Sequence, residues 1–293
     1  MSGNYFQLSP VLVNGVTTLA GIQDVQENPG IEVYLSQSDG SVSGMLATVA
    51  KAAPALTVPT LNIKQALDLL ATTGPVPFLI LTGLTWSDKK QAAGGPTFAA
   101  GSTSEQKAAT AGLLYFAGLE AGANTPAMLT LAAQLASTDG LTDPIAPTLV
   151  TAPTEPASIV PYFLDSVTMD GTLIDEIESI SITPGVALQI EHGLRPYPVL
   201  VRVRAVDWTI TVRHRDATFH RIKTNAKDTS IAVVLKAANS GGPTRGASTV
   251  NFTINGLLYN AGSGRPTGGQ SEYTTTLRGR RNGATQSATW STT

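Results

Sequence analysis

The chain has 293 residues, 42% apolar and only 14% charged, so it can bury a sizeable core and is too apolar for wholesale disorder. Without a single Cys it can form neither a disulfide framework nor a thiolate metal site. Charges, Pro or Gly interrupt every apolar run short of a membrane span, and Met1 to Pro10 lacks the basic flank and apolar core of a signal peptide, so a soluble protein made in the cytoplasm is expected.

The low charge implies that much of the surface meets other protein instead of water. With 28 Gly and 18 Pro, many turns and short strands are expected. Charge is unevenly spread. Residues 1–150 hold 5 Lys, no Arg and 10 acids, a balance of −5, whereas residues 151–293 hold 14 basic residues and 11 acids, a balance of +3.

In chain order, residues 1–10 form an N-terminal arm, and Val11-Leu12-Val13-Asn14-Gly15 is a short strand with a turn signal. Ser36 to Pro54, rich in Gly, Ser and then Ala, is a candidate long loop. Asn62 caps a helix over Ile63 to Leu70 that Gly74 closes; Ile63, Leu67 and Leu70 recur at helical spacing as its core stripe. Ser104 to Ala121 is helical by propensity, being rich in Ala, Glu, Gln and Leu. Asp143-Pro144 to Val160-Pro161 carries Pro at 144, 147, 153, 156 and 161, which makes an extended, stiff connector.

Beyond it, Asp170-Gly171 and Asn255-Gly256 are hairpin-type turn signals. Strands are expected over Ile174 to Thr183, Val186 to Glu191, Val199 to Val206, Trp208 to Val212, Ile231 to Leu235, Val250 to Ile254 and Tyr273 to Leu277. Val199 to Val206 alternates Val with Arg, which gives one buried and one polar face. Asp216 caps a short helix over Ala217 to Thr224.

The two halves repeat each other. Gly94-Gly95-Pro96-Thr97 recurs as Gly241-Gly242-Pro243-Thr244, and Gly112-Leu113-Leu114-Tyr115-Phe116-Ala117-Gly118 recurs as Gly256-Leu257-Leu258-Tyr259-Asn260-Ala261-Gly262. Val11 to Gly15 matches Val167 to Gly171, Pro29-Gly30-Ile31 matches Pro184-Gly185-Val186, and Leu56-Thr57-Val58 falls on Ile210-Thr211-Val212. The offset drifts only from 156 to 144, so all matches are collinear. Two modules follow, 11–143 and 162–293, joined by a linker at 144–161. Because copies share topology and Ser248 to Ala261 is β-branched, most of 105–120 is expected to be strand despite its helix propensity.

Chemistry is sparse. His192, His214 and His220 show no metal-ligand spacing, and no Gly-x-Ser-x-Gly elbow occurs. Gly262 to Gly269 lacks the Lys and helix of a phosphate-binding loop and reads as a loop between strands. Asp170, Asp175, Glu176 and Glu178 form the densest acidic cluster, with Glu176 and Glu178 expected on one strand face. Paired acids could hydrolyse glycosides, but no aromatic sugar platform lies near them. Arg202, Arg204, Arg213, Arg215 and Arg221 gather in the second half, and Arg278, Arg280 and Arg281 follow. No nucleic-acid motif accompanies them, so arginines bridging to acids of a neighbouring subunit fit better. No catalytic, cofactor or metal residue is assigned.

Antiparallel strands with one capped helix, opening on Val167-Thr168-Met169-Asp170-Gly171 and closing on Val250 to Gly256, Glu272 to Leu277 and Asn282-Gly283, resemble the tail tube proteins of tailed bacteriophages. The resemblance spans the chain as an arrangement, and no single motif is diagnostic. It implies a mainly β fold of two tandem β-sandwich modules, each with a flanking helix. It further implies that six modules, two per chain, close into a trimeric, pseudo-sixfold ring, that rings stack into a tube, and that DNA passes through it without sequence-specific binding. Other tail proteins are then partners and the virion is the location. Asp175, Glu176 and Glu178 become lumen-facing acids; Arg202, Arg204, Arg213 and Arg215 become subunit-interface arginines; Ser36 to Pro54 contacts the next ring. Alternatives are another tail or virion component (a terminator, distal ring or decoration protein) and a β-sandwich carbohydrate-active enzyme using Asp175 and Glu178.

Overall fold

The computed structural model describes residues 6–8, 11–14, 17–36, 46–70, 73–74, 76–90, 103–151, 159–216, 228–239, 245–264, 272–280 and 287–293. The first half opens with β1 (Phe6–Leu8), β2 (Val11–Val13), β3 (Thr17–Leu19), β4 (Gln26–Asn28), β5 (Ile31–Ser36), β6 (Leu46–Ala52) and β7 (Ala55–Thr60). After the helix α1 (Ile63–Leu70) come β8 (Thr73–Gly74), β9 (Phe78–Leu81), β10 (Leu84–Lys90), β11 (Thr103–Ala109), β12 (Gly112–Gly122), β13 (Met128–Leu135) and β14 (Ile145–Thr151). The second half begins with β15 (Tyr162–Met169), β16 (Thr172–Leu173), β17 (Ile177–Thr183), β18 (Val186–Glu191), β19 (Leu200–Val206) and β20 (Thr209–His214). It ends with β21 (Asp228–Ala238), β22 (Arg245–Gly264), β23 (Glu272–Gly279) and β24 (Ala288–Thr292).

The fold is mainly β, and the sheets are antiparallel. β14-β11-β10-β2-β3, with β1 also on β10, form a six-stranded sheet. A fourteen-stranded sheet runs β16-β15-β21-β22-β23-β20-β17-β12-β13-β7-β4, with β24 on β22, β8 on β24 and β9 on β12. β5–β6 and β18–β19 are two separate hairpins, here called the first and second arms.

Positions matched in the sequence occupy matching places in the ladders. Asn14 and Asp170 both take a left-handed turn conformation, φ 51° and 50°. Each donates its N–H to a carbonyl of the neighbouring strand segment, Gly83 or Ser230, and accepts a backbone N–H there through Oδ1. Gly30 and Gly185 share φ 55° and lie so close to Ala53 O and Asp207 O that a Cβ would sit 2.4 and 2.6 Å from them. Each arm shifts register at the same place, between Glu32 and Val33 and between Ala187 and Leu188. Gly112 pairs with Leu135, and its match Gly256 pairs with Gly279.

The halves are also continuous with each other. β17 pairs with β12 through Leu119↔Ile182, Glu120↔Ser181, Ala121↔Ile180 and Gly122↔Ser179. One core cluster holds residues of both, and Phe116 of the first half packs its ring at 5.8 Å from Trp208 and 6.2 Å from Phe252. Trp290 in turn pairs through its backbone with Gly74. Each large side chain so buried contributes about 2–3 kcal/mol.

Four expectations change. The connector at 144–161 is not wholly a spacer, because Ile145–Thr151 is a strand on β11; Pro147 is tolerated there because β14 is the sheet edge and needs no outward N–H. Asn255-Gly256 is not a hairpin turn. β22 runs straight through it, changing partners from β21 to β23, and the glycine is required because a Cβ would meet Arg278 O at 2.0 Å. Ser36 to Pro54 is not all loop: Leu46–Ala52 is the return strand of the first arm, and 37–45 lie outside the described residues. Gly74 does not end the helix but lies in β8.

α1 itself spans Ile63–Leu70, and Ile63, Ala66, Leu67 and Leu70 are its buried stripe. Residues 105–120 are strand apart from a break at 110–111, as the repeat requires. Asp170-Gly171 is a hairpin turn with both φ values positive, as a type I′ turn needs. The helix at 217–224, both Gly-Gly-Pro-Thr motifs and Asn282-Gly283 lie outside the described residues, as does most of Gly262 to Gly269.

Candidate functional site

The acids come first. Asp175 and Glu176 precede β17 instead of lining it, and Glu176 takes φ 52° while its carbonyl accepts the Arg215 N–H at 3.1 Å. Glu178 sits where β17 slips register against β20, so it and Glu176 do not form a strand face. Its carboxylate binds Arg215 at 2.6 Å. The three acids therefore cluster at one end of β17.

Arg213 pairs with Glu272 at 3.2 Å. Arg213 and Arg215 thus each hold an acid of their own half. Exposed pairs of this kind contribute less than about 1 kcal/mol. Arg202 and Arg204 differ: both are exposed on β19, and no acid among the described residues pairs with them.

His214 is buried, with Nε2 3.0 Å from Thr275 Oγ1 and its ring stacked on Tyr273, which makes it part of the packing. His192 is half-buried at the end of β18; His220, Arg221 and Arg281 lie outside the described residues. Among the described residues no group of three or more His, Asp or Glu could hold a metal ion, and no helix is long and apolar enough to cross a membrane.

What the tertiary structure brings together is a broad hydroxyl surface. Eight strands in the order β22-β23-β20-β17-β12-β13-β7-β4 turn one face to the core and the other away from it. On β17, Ile180 and Ile182 are buried, so alternation sends Ser179, Ser181 and Thr183 to the other face. On β20, Ile210 and Val212 are buried and Thr209 and Thr211 take the outer face; on β7, Leu56 and Val58 are buried and Thr57 is outward. Thr130 and Glu120 continue the surface on β13 and β12, and Thr211 and Thr276 approach within 3.3 Å across β20 and β23. This face was not foreseen, although Thr209-Ile210-Thr211-Val212 and Ser179-Ile180-Ser181-Ile182 carry it as plain alternation.

The edges of this eight-strand surface are the second element of the site. At its centre β12 and β17 join the halves. By the matched ladders, β4 corresponds to β17, and the stretch of β22 from Gly256 corresponds to β12. Among the described residues no strand lies on the outer side of β4, and none flanks Leu258 to Gly264 on the side away from β23. Among the described residues the chain thus carries one joint, between β12 and β17, and two unpaired sheet edges at the matching places, β4 and the end of β22.

The third element is the seat of the second arm. β18 and β19 pack on β12 of the first half. Ala52 N–H donates to Pro196 O at 2.8 Å, Ser137 N–H to Pro198 O at 2.8 Å, and Tyr197 N–H to Gly140 O at 3.1 Å. The loop that receives it is fixed by Asp139, whose carboxylate accepts from Leu141 N, Thr142 N and the hydroxyls of Ser137 and Thr142. Backbone donation by Thr142 and Leu141, then the two hydroxyls, holds the Asp139 carboxyl well below the usual carboxylate range. Burial, with Asp143 nearby, pushes the Tyr197 phenol up. Ser137-Thr138-Asp139-Gly140 is a turn signature that sequence reasoning passed over.

Comparison with known proteins adds no identification: no family model matches the chain, and no curated protein matches its sequence.

Proposed function

We propose that this chain is a structural virion protein of the tail-tube kind, three copies of which close head to tail into a pseudo-sixfold ring that stacks into a conduit for DNA. The observation that carries this reading is the joint between β12 and β17, repeated in unmade form at β22 and β4. A surface that pairs with itself head to tail closes into a ring when the rotation permits. Carrying the made register over the repeat puts Ser263 opposite Glu27 and Gly264 opposite Gln26 of the next chain.

Size favours three copies. With eight strands per chain, three chains bring 24 into one barrel. At a spacing of about 4.8 Å and a tilt of about 40°, that barrel is about 48 Å across its backbone, while two chains reach only about 32 Å. Side chains narrow both, and the larger leaves ample room for a duplex. The core-averted face would line it, so DNA would meet Ser and Thr hydroxyls and Glu120. Such a wall offers phosphates no cationic hold beyond Arg213 and Arg278, which Glu272 and Asp207 already pair. Closure also pairs two open sheet edges that would otherwise invite aggregation. Arg202 and Arg204 stay available for contacts outside the ring, whereas Asp175, Glu176 and Glu178 belong to its rim.

Negative-stain electron microscopy of concentrated, aged protein, with native mass spectrometry, tests the proposal. Hollow rings or tubes with threefold or pseudo-sixfold end views are expected. Single rings that never stack would point to a terminator or distal ring instead, and single particles at every concentration would overturn ring closure.

A further inference from the structure

The two arms match in sequence position, register and bulge, but not in burial. On the second arm, Val186, Leu188 and Ile190 of β18 and Val201 and Val203 of β19 are half-buried against the first half. On the first arm the matching positions lie open: Ile31 is 52% exposed, Val33 56% and Val49 53%. Val33 lies opposite Val49 just as Leu188 lies opposite Val203, so the same apolar face is built twice and covered once. Three neighbouring apolar side chains on a two-stranded ribbon are a poor surface to leave in water, since an isolated hairpin has no core of its own.

We infer that the first arm docks on the second half of another copy of this chain, laying Ile31, Val33 and Val49 against β22 at residues 256–264, as the second arm lies on β12 of its own chain. The occupant follows from the repeat: the surface that receives the second arm includes β12, and the matching surface is β22 from Gly256. Within one chain the first arm cannot take the place of the second. Its base is instead tied, through Ala52 N–H, to Pro196 at the tip of the second arm. In a ring each arm would then grip the unit beyond it and touch the base of the next arm. Salt-bridged Glu32 and Lys51, 3.2 Å apart, mark the polar face that stays in solvent.

This inference rests on head-to-tail closure, but it names a contact that closure through sheet edges does not require. The chain has no Cys, so single introduced thiols report cleanly. Val33→Cys and Val49→Cys proteins are labelled with a maleimide in dilute and in assembled samples, with Leu173→Cys, 52% exposed on β16, as reference. Both arm thiols are expected to label at least about tenfold more slowly in the assembly than in the dilute chain, while the reference changes little. In parallel, Val33→Glu/Val49→Glu should keep the circular dichroism spectrum and melting temperature of the dilute chain yet raise the concentration needed for assembly about tenfold or more. Rings that form while the arm thiols label at the dilute-chain rate overturn the arm contact and leave ring closure standing. Protection in an assembly without threefold symmetry supports the arm contact and overturns the ring count. A chain that remains monomeric overturns both.

Discussion

Two glycines mark where a strand leaves one set of partners for another. At Gly112, φ is +150° and a Cβ would stand 2.4 Å from Gln134 O; at Gly256 it would stand 2.0 Å from Arg278 O. Both obstacles are backbone, which cannot rotate aside as a side-chain tip can. Gly112→Ala and Gly256→Ala should each cost about 2–3 kcal/mol in urea unfolding, while Gly83→Ala, with nothing within 4 Å of its Cβ, should stay within about 0.5 kcal/mol. Equal stability of all three variants would remove these glycines from the fold's determinants. The Asn255-Gly256 pair shows why this was hard to see in the sequence. The residues that favour a tight hairpin also suit a strand crowded by a neighbouring carbonyl, and only the partner strand distinguishes the two.

Elements were most legible where the chain repeats a period. Ile63, Leu67 and Leu70 placed α1, and the alternation of Val and Arg placed β19. Ser104 to Ala121 ran against its own propensity and was recovered only through its β-branched counterpart, because burial against β13 outweighs the small helical preference of Ala and Glu. The loop at Ser137 to Thr142 was missed, since its value lies in what it receives. Its Asp139 carboxylate has a lowered folded pKa and an unfolded value of about 3.9, so the stability it contributes is complete above that value and is lost as pH falls toward the folded one. Asp139→Ala should therefore lower the urea midpoint at pH 7 and show a smaller deficit at about pH 3, the rest being lost only as the pH falls further toward the folded value. A deficit unchanged between the two pH values would mean that the carboxylate charge plays no part in fixing this seat.

For the whole molecule, the surface proposed to line the conduit is a property of the sheet and not of any motif. The hydroxyl face carries few charges, and its two arginines, Arg213 and Arg278, are each paired with an acid, which suits the proposed wall that phosphates slide past. Replacing Ser181 and Thr211 by Lys, both half-buried on that face, should leave the chain folded and assembling but convert the assembly into a DNA binder whose affinity falls steeply with salt. Assemblies of this variant that retain no DNA at low salt would argue that the face does not line a DNA path. The acids expected to face the lumen cluster at one end of β17. Their spacing in sequence was readable, but the register slip at Glu178 and the left-handed turn at Glu176 were not, because both answer to the partner strand.

By itself the sequence determined the mainly β class, the absence of disulfides, the helix at Ile63–Leu70 and the collinear matches between the halves, all of which rest on local periodicity and composition. Only the tertiary structure decided that one sheet runs through both halves at β12 and β17, that Arg213 and Arg215 are already paired, and that one arm is covered and the other bare. Each of those depends on contacts between residues far apart in the chain, where a local pattern states which face is apolar but not what lies against it.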